Sequence, residues 1–294
     1  MYLKDSLISI NEFFYSSKNQ IRKLYLKSNL YNNKISKIEI NNISYRPSLS
    51  ILSCLVKYDK KMIKIEELNK ENIWENKLLS RNNLNKLNNF YWLFSIDLKS
   101  STSITQSIIE KWIERNENYN SFTWQLDILS KRIISWISNS KLTYDKSEDE
   151  YKKKFNFSIN KQINHLINEI SKSQSVDDKL LGCIAIIITG LSYENEKFLN
   201  YGLELLRKII INSFDDEYFP KTRSIRQLNF YLKYFVLIRE LLKESLNEIP
   251  EYLDEAIFYL GKSYSIFSDI EKSLLFNGNH QISSTEFNKY LSMH

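Results

Sequence analysis

Five glycines and three prolines in 294 residues give this chain very little material for tight turns. A β-sandwich or barrel needs turn chemistry roughly every 8–12 residues, so that scarcity argues against one and for long helices with few forced breaks. The apolar pattern agrees. Ile104, Ile108, Ile109, Trp112 and Ile113 share one helical face. Leu129, Ile133, Trp136 and Ile137 form a second stripe, and Phe155, Ile159, Ile163, Leu166, Ile167 and Ile170 a third. Four more follow: Leu180 to Leu191, Phe198 to Ile210, Leu228 to Leu242, and Leu253 to Tyr264. Spacings of three and four residues are the period of a helix that buries one side. Short polar connections pair these helices into antiparallel hairpins. No sequence identity recurs between pairs, so the expected architecture is all-α, a stack of hairpins curving into a ring or solenoid, and not a sequence-repeat array.

The N-terminal part reads differently. Residues 1 to about 30 carry a helical pattern with Ile8, Phe13, Phe14, Ile21, Leu24 and Tyr25 as expected buried positions. From about 36 to 66 the pattern shortens. Ile38 and Ile40 alternate with Lys37 and Glu39, which predicts a small strand or an extended arm, and Pro47 stops anything longer.

The formal net charge of +6 suits a polyanionic partner. Acidic residues are interleaved throughout, so no basic stripe of the nucleic-acid-binding kind stands out, and lysine also reads as the ordinary surface residue of this chain. Cys183 lies within the apolar run Gly182 to Ile188 and reads as a small buried hydrophobe; Cys54 is far from it and no CxxC exists. The charged residues Lys4, Asp5 and Glu12 interrupt the first apolar stretch, so no secretory leader is expected, and no run approaches the ~20 apolar residues of a membrane span.

Two segments carry a family resemblance. Trp74 is followed by Leu87-Asn-Asn-Phe90-Tyr-Trp92-Leu93, and Trp124-Gln-Leu-Asp127 leads into Arg132 and Trp136. Gln162-Ile-Asn-His165-Leu, Thr189-Gly190-Leu191, Gly202-Leu203 and Asp215-Asp-Glu-Tyr-Phe219-Pro220-Lys-Thr-Arg223-Ser224 come in the same order. Together they resemble the helical part of heparinase II/III family proteins, from about residue 70 to Gly278. That resemblance implies an incomplete α/α-toroid followed by a β-sandwich, with an acidic polysaccharide between them. The implied reaction is β-elimination: a base removes the proton α to the uronate carboxylate, neighbours neutralise that carboxylate, and an acid, often a tyrosine, protonates the leaving oxygen. The family's substrates would place it in the periplasm, whereas the absent leader points to the cytoplasm.

The chain departs from the family where chemistry is concentrated. Asp177 and Asp178 stand where active members carry an Asn-His pair, and read as the acidic first turn of a helix. No Tyr follows Arg223 until Tyr231, which reads as a core or rim aromatic, so no catalytic residue is assigned. Trp124, Arg132, Trp136, His165 and Arg223 are the residues expected to contact substrate: aromatic faces stack on sugars, and a guanidinium holds a carboxylate bidentately. Each also has a structural reading, His165 and Trp136 as parts of an apolar stripe. His280 and His294 show no metal-ligand spacing, and Asp215, Asp216 and Glu217 read as a solvated turn, so neither a metal nor a cofactor is expected. The resulting organisation is an N-terminal helix and arm (1–70), a toroid domain (71–278) and a polar tail (279–294) where the family's β-sandwich would begin. The expected function is that of a lyase-like domain inactive on its own. The alternative is a glycan-binding or interaction module that pairs with a separately encoded domain.

Overall fold

The computed structural model describes residues 19–48, 74, 80–96 and 102–270. Ile8, Phe13, Phe14, Cys54, His280, His294 and the tail beyond Gly278 lie outside them. All seven apolar stripes are helices. With the N-terminal helix α1 (Asn29–Ile35) and the short α2 (Arg81–Asn88), they run α3 (Thr102–Arg115), α4 (Leu126–Ser138), α5 (Ser140–Thr143), α6 (Asp149–Glu169), α7 (Val176–Ser192), α8 (Glu196–Ser213), α9 (Ile225–Glu244) and α10 (Glu251–Ile270). Among the described residues no strand forms and the fold is all-α. Helix starts follow their capping chemistry. Ser28, Ser80, Ser175, Asn195 and Ser224 each accept a hydrogen bond from a first-turn amide, which satisfies a donor that a helix leaves unpaired.

Helix α7 is the centre. Every residue from Leu180 to Ser192 is buried, and α4, α6, α8 and α9 all pack against it. A helix apolar on every side is stable only with neighbours on every side, so the run from Leu180 to Leu191 fixes this position. Helices α7 and α8 form a tight hairpin whose closeness depends on two glycines. A Cβ on Gly190 would lie 2.6 Å from the Leu199 nitrogen, and one on Gly202 would lie 2.6 Å from Ile187 Cγ1. Cys183 is buried here, as expected of a small hydrophobe, with its thiol on the Gly202 carbonyl at 3.1 Å. A second focus is aromatic. Phe90, Trp112 and Trp136 meet edge-to-face at centroid distances of 5.2–6.0 Å, and Phe155 lies against Trp136 at 5.3 Å.

Residues 37–48 form an extended arm without a β-ladder, so of the two sequence expectations the arm holds. Its main chain is held by asparagine side chains four residues apart on α6. Asn164 Nδ2 donates to the carbonyls of Ile35 and Lys37, Asn160 Nδ2 to that of Lys37, and Asn156 Nδ2 to that of Asn41, at 2.6–3.0 Å. The Glu39 amide donates back to Asn160 Oδ1 at 2.9 Å, and Asn195 donates to the Glu39 carbonyl at 2.6 Å. Four helical residues rise about 6 Å and two extended residues span about 6.6 Å, so an i, i+4 row matches alternate residues of an antiparallel arm.

One expectation is corrected. Ile21, Leu24 and Tyr25 are exposed, not buried. The helical turns of residues 19–26 instead direct Leu26 and Arg22 inward, where Arg22 bonds the buried Glu169 of α6. Satisfying that carboxylate fixes which face of residues 19–26 meets the core.

Candidate functional site

Of the five residues expected to touch substrate, the fold brings two to one cavity. His165 projects from α6 toward the connection before α4, and its ring meets Trp124 edge-on at 5.2 Å. Tyr119 lies against both, 5.2 Å from His165 and 6.2 Å from Trp124. With Arg22, Lys23, Leu26, Ser121, Gln125 and Glu169, they line a cavity of about 310 Å³ at the seam between residues 19–26, the connection before α4 and α6.

Beneath it Tyr31 Oη lies 2.7 Å from His165 Nδ1. Burial raises the Tyr31 pKa far above its ordinary value, with Glu169 adding to the rise, so the phenol keeps its proton and donates to the Nδ1 lone pair. That leaves Nε2 for the backbone hydrogen bond with Trp124. Burial also lowers the His165 pKa to about 4, outweighing the pull of Glu169, so the imidazole is neutral near pH 7. Burial pushes the Glu169 pKa up, but hydrogen bonds from Lys172, at 2.7 Å, and from Arg22 reverse the shift and hold the carboxyl below its usual range. Arg22 Nε is buried and has no hydrogen-bond partner among the described residues. The cavity is therefore lined by aromatic side chains, of which Trp124 and His165 are 3% and 2% exposed, with the cationic Arg22 and Lys23 beside them. Tyr31, Arg22 and Glu169 were missed in the sequence. Only the i, i+4 spacing of His165 and Glu169 on one helix face pointed toward this cluster.

The other three expected residues sit elsewhere. Arg132 and Trp136 are 0% exposed, so in this structure neither reaches a ligand. Arg132 donates from Nε to Gln162 Oε1 at 2.7 Å and from Nη1 to the carbonyls of Asn88 and Thr123 at 2.9 Å, and its guanidinium lies 4.0 Å above the Trp112 ring. Burial lowers its pKa, yet guanidinium starts so high that it stays charged. It ties α2, the connection before α4 and α6 to one point. Trp136 fills the aromatic core. Arg223 is exposed in the α8–α9 connection, at a left-handed φ of 58°, paired with Asp215 at 2.5 Å. Asp215 also accepts the amides of Glu217 and Phe219, so the acidic cluster builds a turn. Asp177 and Asp178 open α7 as an acidic first turn capped by Ser175, and Tyr231 is core.

Among the described residues no group of three His, Cys, Asp or Glu side chains is placed to hold a metal, and no helix is long and apolar enough to cross a membrane. Compared with protein-family models, curated proteins and solved structures, the chain has no match.

Proposed function

We propose that this chain is a heparinase II/III-like helical domain that holds a unit of an acidic, uronate-containing glycan in the Arg22–Trp124–His165 cavity. The observation that carries this reading is the cavity that brings the cationic Arg22 and Lys23 together with Tyr119 and Trp124, near the ~300 Å³ lower bound of ligand sites. Such a space takes one sugar unit. Aromatic rings meet the C–H faces of a sugar, and a guanidinium donor meets its carboxylate. The resemblance that motivates the reading runs through Trp124 and His165, which meet edge-on in the wall of this cavity.

The same geometry supports holding over cutting. Removing a proton α to a carboxylate needs a base with a pKa near the working pH, and a neutral imidazole titrating near 4 is a weak one. Tyr31 is sealed beneath the ring and keeps its proton. Elimination, the reaction class of the family, would then need an acid and base brought to the cavity by a β-sandwich partner.

The test is titration of the folded chain with uronate oligosaccharides at low salt, following tryptophan fluorescence, with absorbance of unsaturated product recorded alongside. Binding that weakens about tenfold in Arg22→Gln, the cost of one charge-assisted hydrogen bond, and weakens further as salt rises is the expected result. Absence of binding by folded protein at low salt refutes the proposal. Growth of unsaturated product would refute the assignment to holding alone.

A further inference from the structure

Over residues 37–41 the arm that α6 grips spends only one of its two edges, before Ser44 and Tyr45 donate to the Ser192 carbonyl. Lys37, Glu39 and Asn41 give main-chain groups to Asn160, Asn164, Asn195 and Asn156. In an extended chain alternate residues direct N–H and C=O to opposite sides. The groups of Ile38 and Ile40 therefore face away from the asparagines and have no hydrogen-bond partner among the described residues, but Ile40 is buried, so the accessible edge is that of Ile38. Ile38 is also 72% exposed, an isoleucine held in a fixed arm with its side chain in water. Beside it a largely apolar cavity of about 590 Å³ opens between the arm and α6, with Ile38, Ile40 and Phe157 among its lining.

An open edge with an apolar seat alongside is the arrangement that accepts an added strand. The arm's own sequence supplies a matching one. Antiparallel pairing of Lys37-Ile38-Glu39 with the same segment of a second copy, centred on Ile38, sets each Lys37 opposite a Glu39, whose carboxylate also holds Lys197 at 2.6 Å, and exchanges both main-chain bonds between the two Ile38 residues. Opposite charges across a strand pair attract, and the Ile38 side chains cover each other beside the cavity.

We infer that this edge is a self-association surface, pairing two copies of the chain through residues 36–40 in antiparallel register about Ile38. The contact is short, so the dimer is weak and exchanging, and it forms independently of any glycan in the Arg22 cavity. Sedimentation velocity over a concentration series of the full chain is the primary measurement. Monomer–dimer exchange is expected, and Ile38→Pro, which removes the outward N–H at an exposed position, should weaken it at least tenfold. An Ile38→Cys variant in a Cys54→Ser background should give a disulfide-linked dimer under mild oxidation, because residues facing each other in such a pair have Cα atoms about 5.5 Å apart. A wild-type chain that stays monomeric at high concentration and an Ile38→Cys variant that fails to cross-link overturn the inference. So does a dimer that survives Ile38→Pro, which would place the contact on another surface. A monomer that instead binds an unrelated extended peptide would show an open edge and refute self-pairing.

Discussion

Acidification should unfold this protein by an amount that His165 sets. In the folded chain His165 titrates near 4, against an ordinary value of 6.5, because burial under Tyr31, Tyr119 and Trp124 disfavours the imidazolium. Glu169 pulls the other way, but Arg22 and Lys172 offset it. Above pH 6.5 the ring is neutral in folded and unfolded chains alike, and the group contributes no pH dependence. As pH falls the unfolded chain takes up the proton first, so stability declines with acid. Integrated from pH 7 to pH 5, the difference costs about 2 kcal/mol, approaching roughly 3 kcal/mol once pH passes the folded value. Glu169 does not contribute in that window. Its folded pKa is lowered, so its stabilisation is complete above the ordinary carboxylate value and is lost only at lower pH. The assay is urea denaturation at fixed temperature from pH 7 to pH 5, on the wild type and on His165→Gln. Subtracting the two curves removes every other titrating group. The variant is expected to be less stable at pH 7 and to lose about 2 kcal/mol less by pH 5. Parallel curves would refute the reasoning, because they would mean that the ring is charged or solvated in the folded state.

Two further perturbations test the packing that builds the site. Gly190→Ala gains about 1 kcal/mol of helix propensity, but its Cβ would press on the Leu199 nitrogen and Cα at 2.6 and 2.9 Å, backbone atoms that only move if α8 moves. A net loss of about 2 kcal/mol or more by thermal melting is expected. Gly202→Ala, whose Cβ would press on Cγ1 of the buried Ile187 at 2.6 Å and approach its backbone nitrogen at 3.3 Å, should also destabilise, by about 1–2 kcal/mol. A Gly190→Ala protein as stable as the wild type would show that the α7–α8 approach is not tight. Asn160→Ala removes the acceptor for the Glu39 amide and the donor to the Lys37 carbonyl. At about 1 kcal/mol per bond, exchange of the Glu39 amide should speed by roughly tenfold or more while amides of α7 stay protected. Unchanged exchange at Glu39 would mean that the asparagine row does not hold the arm.

Helix identity was legible because each stripe keeps its period for several turns, and α7 was legible as a central helix because its apolar residues have no polar side. The arm was legible only as an alternative to a strand. What decides it, the i, i+4 row of Asn156, Asn160 and Asn164, was present in the sequence but reads as a solvated polar face until an extended chain lies against it. Arg132 was misplaced for a related reason. A charged residue within an apolar stripe invites a ligand reading, and the acceptors for its Nε and Nη1 come from Gln162 of α6, Asn88 and Thr123, while its buried Nη2 has no partner among the described residues. Tyr31 and His165 are separated by 134 residues, a distance across which a lone tyrosine and a lone histidine give no mutual signal.

The N-terminal segment is therefore part of the site and not an appendage to it. Arg22 and Lys23 come from that segment, whereas Trp124 and His165 come from the helical body, so the cavity exists only while the two are docked. The polar links that dock it include Arg22 to Glu169, Tyr31 to His165, the asparagine row and Asn195 to the arm, Ser44 to the Ser192 carbonyl and Arg46 to Asp145. A ligand that touches Arg22 and Trp124 together binds only the docked form, and mass action then makes it stabilise docking by the same free energy that docking lends to its affinity. Substitutions far from the cavity, at Asn160 or Asn164, should then weaken the proposed glycan binding without contacting the ligand. Their effect on affinity is bounded by the population of undocked chain that they create.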